Sequence, residues 1–236
     1  ANVFLGIGDA NTHRDKNLPG NTAFRNDEPT MPPEVAADTS VNVRTLTARV
    51  AELEGLGNIG ETNSFSGRNN SAYIAGLAWD NRISDLRSDL AGDQSASTHW
   101  VDVLENRVLE APNQNQYYLA TKYGGFRIPE EFDSAAITGL EQDWWHSNGD
   151  TLTSNSGTNF LRPDNYYLAG EADAMIDSLR EAFSNIAEEL QSSSAAVAAN
   201  STRLDTDTAV FQGSFNSQRW SGELAAFKIL NDGRVE

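Results

Sequence analysis

A short apolar run that ends in Gly-Asp constrains this chain more than any other feature. Val3, Phe4, Leu5 and Ile7 crowd together at the start of the sequence. The run is too short for a buried helix and lacks polar alternation, so it reads as a strand buried in a parallel sheet. Gly8 and Asp9 then fall at the strand's carboxyl end, where open α/β sheets bind their ligands. Asn11, Thr12, His13, Asp15 and Asn17 follow. Hard cations take carboxylate and amide oxygens, so Asp9, Asn11, Asp15 and Asn17 are candidate ligands for Mg²⁺ or Ca²⁺, with Asp9, Asn11 and Asp15 foremost. His13 suits such ions poorly. The same side chains can instead hydrogen-bond their own loop backbone. Both readings stand at this point.

The rest of the pattern is mixed. Leu18 to Ser40 reads as a long surface loop, with Ser40 as the N-cap of a helix. That helix places Val43, Leu46, Val50 and Leu53 on one face. "NSAYIAGLAWDNR" predicts a second helix, in which Ala75, Gly76 and Ala78 permit close packing. "STHWVDVLE", Ser97 to Glu105, predicts a second strand. "NQYYLATKYGGF" predicts a short helix closed by Gly124-Gly125. Residues 128–163 read as an irregular, aromatic-studded insertion. The strongest helix signal carries Leu168, Ala172, Met175, Ile176, Leu179, Phe183, Ile186 and Leu190 at helical spacing, which predicts a face packed on the sheet. A small-residue linker over 192–208 then leads to alternating strands over 209–236. The fold class is therefore α/β, followed by a separate β unit. Two parallel strands do not complete an α/β sheet, so further strands are expected from residues outside the chain.

Composition removes several function classes. There is no cysteine, which excludes disulfides, thiolate zinc sites and cysteine nucleophiles. The net charge of −17 disfavours nucleic acid and anionic membranes as partners. Among the 17 basic residues only Lys16, Lys122 and Lys228 are lysines, an acidic, lysine-poor balance that fits a secreted protein or one living in salt. No stretch approaches a transmembrane span. The sequence opens directly into a strand and stops within a strand-turn-strand signal, "ILNDGRVE", so it reads as a mature or excised piece.

Other motifs carry less. "DQSAS", Asp93 to Ser97, matches Asp-x-Ser-x-Ser, a trio that holds a divalent ion in adhesion sites. It precedes a strand instead of following one, so no ion is expected there. Glu130-Glu131 and Glu141/Asp143, near Trp144 and Trp145, suggest a glycosidase pair, but chance pairs are expected among 34 acidic residues. His13, His99 and His146 have no metal-ligand spacing. No phosphate loop, nucleophile elbow or dinucleotide fingerprint is present.

Five phrases together carry a resemblance: "GDANTHRDKNLPG", "NSAYIAGLAWDNRISDLRSDLAGDQSASTHWVDVLE", "YYLATKYGGF", "RPDNYYLAGEADAMIDSLREAFSNIA" and "VFQGSFNSQRWSGELAAFKIL". In this order they resemble the PilC/PilY proteins, associated with type IV pilus assembly and the pilus tip. The resemblance implies that residues 1–191 are the C-terminal half of a Rossmann-like von Willebrand A-like domain, with an insertion near 128–163. It implies that 209–236 are the first strands of a β-propeller. Asp9 would stand where similar domains complete a Mg²⁺ or Ca²⁺ site, the remainder coming from residues outside this chain. The implied role is non-enzymatic: adhesion and pilus biogenesis at an extracellular, cell-surface or pilus-tip location. The partners would be pilin or minor pilin subunits, with no nucleic acid and no membrane span. The alternative is a secreted carbohydrate-binding or carbohydrate-hydrolysing protein.

Overall fold

The computed structural model describes residues 2–22, 28–61, 65, 69–90, 92–104, 108–170, 172–192, 196–199, 209–216 and 221–228. Two compact units divide the chain, Asn2–Ala182 and the residues from Phe183 onward. The division falls inside a helix, not in the expected linker.

The larger unit is mixed α/β with a parallel sheet. Strands β1 (Asn2–Gly8), β2 (Ala96–Asp102) and β5 (Tyr166–Leu168) lie in the order β1-β2-β5, and both pairings are parallel. The register sets Gly6 opposite Trp100 and Trp100 opposite Tyr166. Successive strand side chains point to opposite faces, and the two core clusters follow that rule. Tyr166 and Trp100 join a large core with α2 (Val43–Glu54), α3 (Tyr73–Ile83) and α4 (Gln116–Gly125). Val101 and Tyr167 face the other way, against Ala182, Met175 and Leu179 of α6 (Ala172–Ser192). The sheet is thus a middle layer between helices.

Three features depart from the sequence reading of this sheet. First, β1 lies at the edge of the sheet among the described residues, with Phe4 and Ile7 each 52% exposed. Its apolar run signals the parallel pairing correctly. Second, β5 supplies a third strand within the chain. Leu168 belongs to it and not to the long helix, which starts at Ala172. Third, Ile176 and Phe183 of that helix are 49% and 58% exposed. The apolar stripe of α6 is therefore not buried at all of its positions.

Local signals explain the helices. Asn42, not Ser40, caps α2, its side chain accepting from Thr45 N at 3.1 Å. Ser40 N instead donates to Asp38. Gly55 ends α2 in the left-handed conformation, φ 69°. The preceding loop holds a short helix, α1 (Pro33–Ala37), with proline in its first turn. Gly76 sits where a Cβ would lie 2.5 Å from Thr47 Oγ1 and 2.6 Å from Thr47 N, so the expected close packing is of α3 against α2. Gly124 and Gly125 lie inside α4 and do not close it; Phe126 does, in extended conformation. Their missing side chains make room instead for Ala78, Thr98 and Asn165.

The insertion contains α5 (Gln142–Trp145) and an antiparallel pair, β3 (Thr151–Thr153) with β4 (Asn159–Leu161). The second unit contains an antiparallel sheet of β6 (Ala196–Ala199), β7 (Ala209–Asn216) and β8 (Ser221–Lys228). β6 falls within the expected linker, while β7 and β8 match the expected strands. "NDGRVE" lies outside the described residues.

Candidate functional site

The carboxyl ends of β1 and β2 open onto one polar cluster. Asp9 Oδ1 accepts from Asn11 N at 2.8 Å, which curls the chain as it leaves β1. The Ala10 carbonyl then takes two buried amides, Asn70 Nδ2 at 3.1 Å and Gln116 Nε2 at 3.0 Å. Gln116 Nε2 also reaches Thr12 Oγ1 at 3.1 Å, and Thr12 Oγ1 donates to Asp15 Oδ2 at 3.3 Å. Asp15 accepts from Ser71 N with both oxygens, at 3.1 and 2.9 Å. Ser71 in turn accepts from Tyr73 N at the start of α3. The loop after β1 is therefore tied to the N-terminal ends of α3 and α4.

Lys16 continues the anchoring. Its side chain is fully buried and donates to the Asn69 carbonyl at 2.7 Å. The ammonium lies 3.6 Å from Asp15 and 3.5 Å from Glu28, whose side chain is also buried. A buried ammonium requires such partners.

At the end of β2, Asp102 is 2% exposed. Oδ1 accepts from Leu104 N at 3.0 Å; Oδ2 accepts from Asn115 Nδ2 at 3.1 Å and from the Tyr166 hydroxyl. Burial pushes the Asp102 carboxyl above the usual aspartate range; its three donors pull it back, and the nearby charge of Asp9 adds to the push. Burial and the Asp102 charge push the Tyr166 phenol well up. Burial pushes the Tyr117 phenol up to about 12, hydrogen bonds with Thr12 and Gln116 opposing the shift and the charges of Asp15 and Asp9 adding to it, so it stays protonated at neutral pH.

Asp9, Asn11 and Asp15 thus share one loop, as the sequence suggests, but their surroundings differ. Asp15 is committed to Ser71, Thr12 and the Lys16 ammonium, and that ammonium would repel a divalent ion. Asp9 keeps a carboxylate oxygen beyond its turn-forming bond. Among the described residues no three Asp, Glu or His side chains converge as a metal cluster. An ion at Asp9 would take its other oxygens from hydroxyl, amide or carbonyl groups, from water, or from residues beyond those described. Gln116 Oε1, buried and without a hydrogen bond of standard geometry, is one such oxygen.

Sequence reasoning missed Asp102, Asn115, Gln116 and Lys16. Asp102 carries a signal, as the lone polar residue in "WVDVL". Asn115 carries another, as an amide just before a helical run. "DQSAS" lies at the amino end of β2, where the Ser95 carbonyl accepts from Asn2 Nδ2 and Ser97 is buried in the strand. His13 is exposed; His99 stacks on Tyr167 with its Nδ1 3.2 Å from the hydroxyl; His146 Nδ1 contacts the Arg162 carbonyl at 2.8 Å.

No family model matches the chain, and no solved structure matches it. A curated sequence does: the type IV pilus biogenesis factor PilY1 homolog of Xylella fastidiosa strain Temecula1 is 40% identical over 97% of this chain. This chain belongs to the PilC/PilY family. It spans about a fifth (20%) of that relative's length.

In this PilC/PilY chain the insertion's aromatics are structural. Trp144 packs edge-on to Phe132, which in turn meets Trp79 and Phe126. Trp145 is buried, with the Lys122 ammonium 4.3 Å above its ring. Glu130, Glu131, Glu141 and Asp143 are all exposed. Among the described residues no helix is long and apolar enough to cross a membrane.

Proposed function

We propose that this chain is a segment of a type IV pilus biogenesis factor that also serves as an adhesin at the pilus tip. It works outside the cell or at its surface, without catalysis, and engages pilin or minor pilin subunits. The observation that carries this reading is the 40% identity, sustained over 97% of the chain, to a protein named as a pilus biogenesis factor. The parallel sheet between helices agrees with a von Willebrand A-like half-domain, and the β6-β7-β8 sheet agrees with the entry to a propeller. The exposed acids and inward-packed tryptophans of the insertion favour this reading over the carbohydrate-directed one. The test is a chimera. This segment replaces its counterpart in the Xylella relative, and surface pili and attachment are scored in a strain lacking that gene. Restored piliation is expected. Loss of pili, with the chimera stably produced and exported, would sink the assignment.

The Asp9 crevice is the proposed cation site. Asp9 supplies the carboxylate, with Thr12 and Gln116 nearby as neutral oxygen donors, while Asp15 and Lys16 hold the loop. Mg²⁺ or Ca²⁺ there would present a positive charge to an acidic group on a partner. A longer polypeptide that restores the flanking sequence should bind the ion by calorimetry, and Asp9→Ala should abolish the heat. Equal binding without Asp9 would reduce that residue to a loop cap.

A further inference from the structure

We infer that Asp102 sets the conformation of the Asp9 loop from the neighbouring strand, acting through Asn115 and Gln116 as positioning residues. The Asn115 amide is held at both ends. Its Nδ2 donates to Asp102 Oδ2 at 3.1 Å and to the Tyr166 hydroxyl at 2.9 Å. Its Oδ1 accepts from Tyr117 N at 3.0 Å and Tyr118 N at 2.9 Å, capping α4. Flipping the amide would aim oxygen at the carboxylate and NH₂ at the helix N–H groups. Asp102 therefore fixes the cap, and the cap fixes the first turn of α4.

Gln116 is the first residue of that turn. It carries the constraint across the crevice to the Ala10 carbonyl and Thr12 Oγ1. Thr12 relays it to Asp15, and Asp15 to Ser71 N. Asn115 is fully buried and Gln116 is 1% exposed, so water does not readily replace these bonds. Asp102 is itself braced by Leu104, a non-glycine residue held at φ 50°. Asp9 and Asp102 are thereby coupled through hydrogen bonds as well as through charge. The inference is independent of what Asp9 binds.

Hydrogen exchange on the full chain, without added metal, tests it. The reporters are the Asn11 and Ser71 amides, which donate to Asp9 and Asp15. Three variants are compared. Asn115→Asp keeps a capping oxygen but sets a carboxylate against Asp102. Gln116→Met keeps length and burial but loses both donors. Asp102→Asn replaces an acceptor by a donor and is read in the same way, should Asn115→Asp not fold. Each is expected to speed reporter exchange about tenfold, the scale of one lost buried hydrogen bond, while amides in the middle of α2 stay within about twofold. The Asn115→Asp/Gln116→Met double variant should exchange no faster than the worse single one, because both act on one path. Reporter exchange within about twofold of the parent in the folded Asp102 or Asn115 variant would overturn the inference. So would fully additive effects in the double variant.

Discussion

The Trp100 indole lies over Gly6 of the neighbouring strand and donates from Nε1 to the Gly8 carbonyl at 3.2 Å. A Cβ on Gly6 would clash with the indole's six-membered ring, 2.8 Å from Cη2 and closer still to Cζ3 and Cε3. The indole also stacks on Tyr117, with ring centroids 3.6 Å apart. The glycines of "GIG" are therefore the floor on which a tryptophan rests, and that tryptophan links β1 to α4.

Gly6→Ala should destabilise the chain by about 1–3 kcal/mol, the range for overpacking. Urea unfolding followed by tryptophan fluorescence measures this. An unchanged midpoint would show that Trp100 moves aside without cost.

Phe183→Ala should cost less than about 1 kcal/mol, because Phe183 is 58% exposed. A fully buried phenylalanine would cost about 3–5 kcal/mol. Leu179→Ala, on the part of α6 that packs against Val101 and Tyr167, should cost more than Phe183→Ala. Thermal unfolding of the two variants ranks them, and the reverse order would restore Phe183 to a core.

These two positions mark how far the sequence could be read. Strand β1 is legible as an apolar run with a polar end, and β2 from the bulky Trp100-Val101 pair beside the single polar Asp102. β5 is not, because it has three residues and Leu168 also fits the helical spacing that continues through Ala172. The period of α6 gives the direction of its apolar face but not the width of what covers it, so it assigns to the core Ile176 and Phe183, which are exposed. Asp9 is legible from its place after a strand. Asp102 depends on Asn115 and Tyr166, 13 and 64 residues away, a conjunction that local spacing does not encode.

Asp102 gives a pH signature. Its folded carboxyl is held above the usual value of about 3.9. Between that value and the raised one, the folded chain keeps a proton that the unfolded chain has released. Its contribution to stability is therefore full below about pH 4 and is lost as pH rises through the raised value. Urea midpoints for the parent and Asp102→Asn, taken from pH 4 to pH 8, should show the parent losing ground to the variant across this window. A pH-independent difference would contradict the shift.

Lys16→Met should destabilise by about 3–5 kcal/mol, chiefly the cost of leaving the buried Glu28 carboxylate without its cation, Asp15 being 26% exposed. The carboxylates are Asp15 and Glu28, at 3.6 and 3.5 Å. Chemical denaturation measures it, and a loss under about 1 kcal/mol would mean that water enters and replaces the ammonium.

The burial of Lys16 has a practical corollary at the bench. Of the three lysines, Lys16 is fully enclosed, and Lys122, whose side chain is only 12% exposed, is clamped at 2.6 Å against Glu54. Acylating reagents must reach the amine, and these two are enclosed and held by their carboxylate and carbonyl partners. Cross-linkers, biotin esters and amine-coupled sensor chips will therefore find little to grip on the larger unit while it is folded. A sudden gain in labelling at Lys16 would report that the loop behind β1 has come undone.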